Sequence, residues 1–490
     1  MSIESLHTFD DPLAHWDAVE TAERVRRGEV SAEEVVQAAI RRAERVDPTL
    51  RGVATPDYER ALSRAKTAAG RPFAGVPTFI KEMIDVEGMP GRWGTEALRD
   101  MRPAKKNCLL VQAMEDSGIV SLGTSTMPEF GLTNASILPD GTGIRNPWNL
   151  ARGSGASSSG AGVLAAAGVV PLAHGCDGGG SVRIPASCCG LVGLKPSLRR
   201  FPLQPSMALL PVKISVDGVL TRSVRDTALY YSEIERHYRH PKLPPVGHVT
   251  QPLRRRLRIG VIEQARVGKP YAPNIQHALS QTVTRLEQLG HAVEPVPSSV
   301  TEEMAEDFLL YFQALAFGAI HTGRIEYDRS FDKRLVGDFT WGLARAFQAR
   351  MFRLPGAIRR LRRHARAYRE GFAPYDLFLT PTLSTVARPL EDIATTLPYE
   401  TLIDRAADWL TITPVANVAG TASISLPLAH DAETNLPIGM MFDANFGQEA
   451  LLLELALELE AAFPWPSLAT INHAASAQSE AFAMTAATPA

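Results

Sequence analysis

GSGASSSGAGVLAAAGVVPLAHGCDGGGSVRIPASCCGLVGLKP, residues Gly153 to Pro196, places two clusters of small residues on either side of an apolar run. The clusters are Gly155–Gly160 and Asp177–Arg183. Each brings a serine next to glycines, whose backbone can approach a ligand closely because glycine has no Cβ. The run between them is too short and too rich in glycine to span a membrane. This stretch is predicted to form an active site.

Two other interpretations of the same stretch fit less well. Gly/Ser-rich segments are usually flexible linkers, but linkers do not carry apolar runs such as Val163–Ala167 and Val169–Leu172. The segment Gly160–Ala165 also matches the loose dinucleotide-binding fingerprint. No β-branched strand precedes it and no acidic residue follows in the position that binds ribose, so this match is attributed to chance.

The composition of the chain indicates which binding partners and which cellular compartment to expect. With 45% hydrophobic and 21% charged residues, the 490-residue chain can bury a large core. A formal net charge of −2 offers no general attraction to nucleic acid or to an anionic membrane, so neither partner is expected. The four cysteines lack metal-ligand spacing, and adjacent Cys188 and Cys189 do not suit an ordinary disulfide. With no secretory signal pattern at the amino terminus, a reducing, cytoplasmic location is expected.

Helix and strand patterns alternate along the chain. Residues 12–47 are predicted to be helical, with a capping box at Ser31–Glu34 and an end at Asp47-Pro48. A strand, a helix and a second strand are expected over 257–296, because β-branched runs flank an amphipathic segment. Residues 301–369 have a mainly helical pattern. This alternation is typical of an α/β fold.

The domain organisation follows from the same patterns. Residues 1–466 are expected to form one domain with a helical insertion at about 300–375. The tail 467–490, rich in Ala, Ser and Thr, is expected to be disordered. The arginine-rich run 359–366 is interpreted as a solvated or acid-paired helix face, because it lacks the aromatic residues of a nucleic-acid site.

Lys81 is the chemical anomaly upstream of the serines. It directly follows the apolar pair Phe79-Ile80 in a predicted buried strand. A buried ammonium is unfavourable unless it is paired or neutral. The lysine either reaches water or pairs with Glu82 or Asp85, or it is desolvated and has a lowered pKa that suits a general base.

Lys81, the first cluster and the second cluster together resemble the amidase signature family of serine hydrolases. Gly75-Val76-Pro77 precedes the lysine, and Ser181 lies 24 residues after Ser157, as the family pattern requires. The resemblance extends over roughly residues 10 to 465. Within the family, His174-Gly175 and the run from Ser181 to Ser187 are similar to the 6-aminohexanoate cyclic dimer hydrolase branch.

The resemblance implies an α/β fold with a mixed central β-sheet covered by helices on both faces. It implies hydrolysis of a carboxamide C–N bond, linear or cyclic, through a serine acyl-enzyme, with a small-molecule amide as substrate and neither cofactor nor metal. A homodimer is the candidate assembly. The roles that it implies are a nucleophile at Ser181, a bridging serine after a cis peptide at Ser157, a base at Lys81, and oxyanion donors at Gly178, Gly179, Gly180 and Ser181. Asp177 and Arg183 bracket Ser181 in the sequence and are expected to pair and hold the loop rather than take part in catalysis.

Three alternatives are kept beside this interpretation. A Ser-His-Asp triad with His174 and Asp177 is disfavoured, because no Gly-x-Ser-x-Gly elbow surrounds Ser181. An amidotransferase A subunit, which supplies ammonia for tRNA-dependent amidation, would share the motifs but need partner subunits. A non-catalytic ligand-binding protein on the same scaffold is the alternative of another class. Departures from the family pattern, Gly178 and Glu82 among them, leave the substrate class open.

Overall fold

The computed structural model describes residues 4–6, 11–203, 205–264 and 270–468. The tail expected from residue 467 onwards lies outside these ranges except for its first two residues. The α-helices are α1 Ala18–Arg26, α2 Ala32–Leu50, α3 Tyr58–Ala65, α4 Leu109–Asp116, α5 Ser159–Ala166, α6 Arg183–Cys189, α7 Pro205–Leu209, α8 Val224–His237, α9 Pro273–Gln288, α10 Glu302–Glu326, α11 Asp338–Gln348, α12 Leu354–Glu370, α13 Tyr399–Trp409, α14 Thr413–Ala419 and α15 Glu449–Ala462.

The strands form a large mixed sheet and two small ones. They are β1 Val53–Pro56, β2 Pro77–Lys81, β3 Val120–Ser125, β4 Arg145–Asn146, β5 Asn149–Gly153, β6 Leu172–Asp177, β7 Val192–Lys195, β8 Val216–Thr221, β9 Arg258–Val261, β10 Ala292–Pro295, β11 Leu377–Pro381, β12 Ala422–Asp431 and β13 Leu436–Ala444. The eight-stranded sheet has the order β10-β9-β11-β13-β12-β7-β8-β6. Its β10, β9 and β11 run parallel, and the other neighbours pair antiparallel.

Burial shows that both faces of the large sheet are covered. Every residue of β13 and of β8 is buried. Because successive side chains of a strand point to opposite faces, complete burial requires packed elements on both sides. The α/β fold with a mixed sheet and helices on both faces is therefore confirmed.

The small sheet β1-β3-β2 meets the edge of the large sheet at β6. The Thr78 hydroxyl of β2 donates a hydrogen bond to the Leu172 carbonyl at 3.1 Å. At the end of the same strand, the Lys81 backbone N–H donates to Nδ1 of His174 at 3.3 Å. These contacts bring the carboxyl end of β2 beside the carboxyl half of β6, where the second serine cluster begins.

The first predicted helix, residues 12–47, is wrong as a single element. A 3-10 turn, α1 and α2 replace it, and the break falls at Gly28, whose φ of +70° favours glycine. The capping box at Ser31 and Glu34 is confirmed. The expected end at Pro48 is also wrong: α2 continues to Leu50, which is fully buried. Proline removes only one backbone bond near the end of a helix, and the packing of Leu50 keeps the last turn in place.

The unit β9-α9-β10 confirms the strand, helix and second strand expected over 257–296. Between β10 and β11 the chain forms α10, α11 and α12, so the predicted helical character of this segment is confirmed. On α12, Leu361, Ala365 and Tyr368 are buried at helical spacing, which leaves the arginines of the run on the other faces of the helix. The single domain over 1–466 stays a prediction. Among the described residues, no helix combines the length and the apolar character needed to cross a lipid bilayer.

Candidate active site

Lys81 ends β2 with its side chain fully buried. Its Nζ lies 2.7 Å from Oγ of Ser157, 3.1 Å from Oγ of Ser158 and 3.3 Å from the carbonyl oxygen of Cys176. The alternative in which the lysine reaches water is therefore wrong. The structure joins the lysine to the first serine cluster and to β6.

Nζ of Lys81 has three hydrogen-bond partners, which matches the three N–H donors of an ammonium. Ser158 accepts a bond from the Cys176 N–H at 3.2 Å and donates to the Cys176 carbonyl at 3.4 Å, so its remaining lone pair accepts from Lys81. The Cys176 carbonyl and Oγ of Ser157 accept the other two N–H bonds. Once Lys81 loses a proton, the lone pair of Nζ becomes available to accept the hydroxyl proton of Ser157.

Burial lowers the pKa of Lys81 from 10.5 to about 8, because a desolvated ammonium is unfavourable. The negative charges of Asp177 and Asp217 act in the opposite direction. The adjacent Glu82 is also buried, and burial raises its pKa to about 8. The neutral amine is thus accessible close to neutral pH.

The second cluster forms a turn between β6 and α6 that is organised by Asp177. The Asp177 carboxylate accepts the N–H of Gly180 at 2.8 Å and the N–H of Val182 at 3.1 Å. The φ of Gly180 is +126°, which favours glycine at that position. The N–H predicted to be an oxyanion donor at Gly180 is therefore engaged by Asp177, and Gly180 shapes the turn.

Asp177 and Arg183 pair as the sequence predicts. Nε and Nη2 of Arg183 donate to the two carboxylate oxygens at 3.0 and 2.9 Å, and both side chains are fully buried. Burial alone would raise the pKa of Asp177, but the charge and hydrogen bonds of Arg183 outweigh it and hold that pKa well below its usual range. Asn417 of α14 joins the pair, donating to Asp177 at 2.9 Å and accepting from Arg183 at 2.7 Å.

Ser157 and Ser181 both line one cavity together with Lys81. The peptide bond between Ala156 and Ser157 is cis. The Ser158 N–H donates to the Ser181 carbonyl at 3.2 Å, which ties the two serine clusters together. Gly131, with φ of +66°, approaches so closely that a Cβ at this position would lie 2.9 Å from Oγ of Ser157.

The cavity has a volume of about 310 Å³ and a mostly apolar wall. Gly178 and Gly179 line it beside Ser181. The apolar part of the wall comes from several parts of the chain and includes Met83, Trp93, Phe130, Leu132, Ile214, Met304, Phe308, Phe312, Phe339, Leu343, Ile393, Leu402 and Trp409. The helical segment after residue 300 thus contributes a large part of the wall.

His174 is fully buried on β6 and has both ring nitrogens engaged. Its Nδ1 accepts from the backbone N–H of Lys81, and its Nε2 lies 3.2 Å from Oδ1 of Asp217. In this arrangement Nε2 carries the proton and donates to Asp217. The ring packs behind the lysine, and the geometry does not support the triad of His174, Asp177 and Ser181.

Sequence reasoning did not identify Asn417 and the His174–Asp217 pair as parts of the site. Asn417 is a buried amide in the otherwise apolar run Thr413–Ala419, and a buried amide must find hydrogen-bond partners. That signal marks the residue as structurally important but does not name its partner, which lies 240 positions away at Asp177.

Relatives of known sequence cover almost the whole chain. A protein named "Putative amidase AmiC" from Mycobacterium leprae is 46% identical over 465 residues, which is 94% of this chain and 98% of the relative. The 6-aminohexanoate-cyclic-dimer hydrolase of Pseudomonas sp. strain NK87 is 32% identical over 473 residues, covering 92% of this chain and 95% of that enzyme.

Solved structures agree with these relatives. The structure of a 6-aminohexanoate cyclic dimer hydrolase complexed with substrate superposes with a TM-score of 0.86 at 29% identity. The alignment covers 94% of this chain and 100% of that enzyme. A bacterial aryl acylamidase of the amidase signature family gives 0.83 at 25% identity, covering 94% of this chain and 99% of its own. The Amidase family model matches residues 34–453. The chain therefore belongs to the amidase signature family of enzymes that hydrolyse amides.

Proposed function

We propose that this chain is a serine amidase that cleaves a carboxamide through an acyl-enzyme on Ser181. The observation that carries the proposal is the distance of 2.7 Å between Nζ of the buried Lys81 and Oγ of Ser157, in the wall of a cavity that Ser181 also lines. A serine hydroxyl is a weak nucleophile until a neighbouring base removes its proton. A desolvated lysine with a pKa of about 8 suits that task.

In the proposed first step, Oγ of Ser181 attacks the amide carbon. Its proton passes to Oγ of Ser157, whose own proton moves to the lone pair of Nζ on Lys81. The C–N bond then breaks, and the leaving amine takes a proton back through Ser157. Water attacks the resulting ester and gives one proton to Lys81 by the same route. The bond to Ser181 then breaks, Ser181 takes this proton back, and the carboxylic acid that leaves ionises to the carboxylate by losing a proton to solvent.

The proposed oxyanion donors are the backbone N–H groups of Gly178, Gly179 and Ser181. Gly180, the fourth amide of the predicted set, is left out because its N–H donates to Asp177. Asp177 and Arg183 are proposed to hold this turn in the shape that points the remaining amides at the substrate carbonyl. Losing one donor of such a site typically lowers kcat by about 100-fold or more.

The cavity wall favours an apolar amide as the substrate. A free glutamine side chain, the ammonia source of an amidotransferase A subunit, would lose its hydrogen bonds to water against the largely apolar lining. An apolar amide would instead gain free energy by transfer from water. We therefore favour hydrolysis of an apolar amide over supply of ammonia to a partner.

Hydrolysis of a panel of p-nitroanilides tests the proposal. We expect Ser181→Ala to remove activity, Lys81→Ala and Ser157→Ala to lower kcat by factors on the order of 100 to 10,000, and Ser63→Ala, an exposed serine on α3, to leave it unchanged. Intact-protein mass spectrometry with a slowly hydrolysed substrate should show the acyl group on Ser181. Full activity in Ser181→Ala would contradict the assignment of the nucleophile.

A further inference from the structure

Arginine side chains interrupt the apolar wall of the cavity. Arg388, between β11 and α13, and Arg405, on α13, both line the same cavity as Lys81 and Ser181. The Arg388 carbonyl accepts the N–H of Gly153 at 2.9 Å. This bond fastens Arg388 beside the strand that leads into the first serine cluster.

The guanidinium of Arg388 has hydrogen-bonding capacity left to use. Its Nε is buried and has no hydrogen-bond partner among the residues that the structure describes. Burial lowers the pKa of Arg388, although an arginine stays charged at neutral pH. An unpaired buried donor on a charged group is unfavourable. Nε itself is closed to a ligand because it is buried, so an acceptor that enters the cavity would bind Arg388 at the part of its side chain that lines the wall.

Arg405 differs because protein groups already hold it. Its Nη1 donates to the Asp392 carbonyl at 2.6 Å and lies 3.5 Å from the Asp392 carboxylate. The charges of Asp392 and Asp408 also reach Arg388, but Asp392 is shared with Arg405. Glu306, on an exposed part of α10, also lines the cavity. Asp392 thus engages one guanidinium nitrogen of Arg405, whereas the structure gives the guanidinium of Arg388 no hydrogen bond to any described residue. Arg388 is therefore the better candidate of the two for binding a ligand.

We infer that Arg388 binds a carboxylate at the end of an apolar chain, so that the substrates of this enzyme are amides whose hydrocarbon part ends in an acid. This inference rests on the proposed function and specifies its substrate class. A planar guanidinium matches a carboxylate with two parallel hydrogen bonds. One guanidinium compensates one negative charge, which fits a carboxylate better than a phosphate dianion in a wall that is otherwise apolar.

Two matched pairs of amides test the inference. One pair is suberic acid mono-p-nitroanilide and octanoyl p-nitroanilide, which differ in the acid at the end of the acyl chain. The other pair, N-octanoyl aminohexanoate and octanoyl hexylamide, places the acid on the amine side. In at least one pair we expect the wild type to prefer the acid by roughly 10-fold or more in kcat/KM, as a hydrogen-bonded charge predicts.

Variants of Arg388 and of a control arginine test whether the preference for the acid over the neutral amide comes from Arg388. In Arg388→Met the ratio of kcat/KM between the acid and the neutral amide should fall close to one, mainly through a higher KM for the acid. Arg388→Lys should keep part of the preference for the acid, because lysine retains the positive charge. It should lose the rest, because lysine lacks the planar group that makes two parallel hydrogen bonds. Arg359→Met, an exposed arginine on α12, should keep all of it. A wild type without preference in both pairs, or an unchanged preference in Arg388→Met, overturns the inference.

Calorimetry separates this inference from the proposed function. Binding of the same compounds to Ser181→Ala measures the carboxylate site without turnover, and the double variant with Arg388→Met is its control. The inference is supported if Ser181→Ala binds the acid more tightly than the neutral compound and the double variant with Arg388→Met does not. This holds even where none of the four amides is hydrolysed. Equal binding of acid and neutral compound in both pairs overturns it, while hydrolysis that depends on Ser181 still supports the amidase.

Discussion

Replacing Lys81 by methionine is expected to remove hydrolysis while it stabilises the fold at neutral pH. The lysine nitrogen is fully buried, and burial lowers its pKa from 10.5 to about 8. The unfolded chain therefore binds this proton more tightly than the native protein, and the proton opposes folding below pH 8. Methionine has a similar length and an apolar stem but no ionisable group.

The size of the effect follows from the two pKa values. The fall of the pKa of Lys81 from 10.5 to about 8 means that the protonated lysine destabilises the native state by about 3 kcal/mol at pH 7. The variant also loses the bonds from Nζ to Ser157, Ser158 and the Cys176 carbonyl, together about 2 kcal/mol. We expect Lys81→Met to be more stable than the wild type by about 1 kcal/mol at pH 7. As pH rises from 8 towards 10.5 the advantage disappears, because the native lysine is then neutral.

Urea unfolding followed by tryptophan fluorescence measures this difference, since Trp148 and Trp409 are both buried. The free energies of unfolding of wild type and variant are compared at pH 7 and pH 10. Their difference should change by about 2 to 3 kcal/mol between the two pH values. The control is Lys105→Met, which replaces an exposed lysine. Its free energy of unfolding should differ from that of the wild type by the same amount at pH 7 and pH 10. Hydrolysis of octanoyl p-nitroanilide is measured on the same samples.

Two results would refute this reasoning. A stability difference that does not depend on pH would show that the Lys81 nitrogen is not a desolvated group with a lowered pKa. Activity near the wild-type level in Lys81→Met would show that another group takes the proton of Ser181. If Lys81→Met loses activity and its stability advantage falls by about 2 to 3 kcal/mol from pH 7 to pH 10, the lowered pKa of Lys81 and its role as the base are both supported.

Three further outcomes are expected from the same site. The kcat/KM of the wild type should rise about tenfold per pH unit below 8 and level off above it, because the base must be neutral Lys81. Asp177→Asn should destabilise the protein by about 3 to 5 kcal/mol in urea unfolding, because it leaves the buried Arg183 charge unpaired. Gly131→Ala should lower kcat with little change in fold, because the added methyl would lie 2.9 Å from Oγ of Ser157.

Both variants have a matched control in the chain. Gly141 has a φ of +80° and open space around a Cβ, so Gly141→Ala carries the same backbone strain and should keep its activity. Asp332→Asn breaks an ion pair with the exposed Arg334 and should leave the free energy of unfolding nearly unchanged, because solvent screens an exposed pair. A pH profile that is flat from 6 to 8, a stable Asp177→Asn or equal activities of the two alanine variants would each contradict the corresponding expectation.

The sequence by itself determined the chemical groups of the site and the order of most elements. Serines among glycines, and a lysine after an apolar strand, are local patterns, and local patterns are legible because helix and strand periodicity act over a few residues. The strand that ends at Lys81, the helical segment after residue 300 and the pairing of Asp177 with Arg183 could all be predicted in this way.

Tertiary structure alone decided how those groups act on one another. Lys81 meets Ser157 across 76 positions, Asn417 reaches Asp177 across 240, and Arg388 enters the cavity from a segment whose local pattern carried no functional signal. Packing also carried α2 past Pro48. The physical reason is desolvation: the pKa of a lysine and the value of an arginine's hydrogen bonds depend on which distant groups exclude water from them, and no stretch of sequence contains that information.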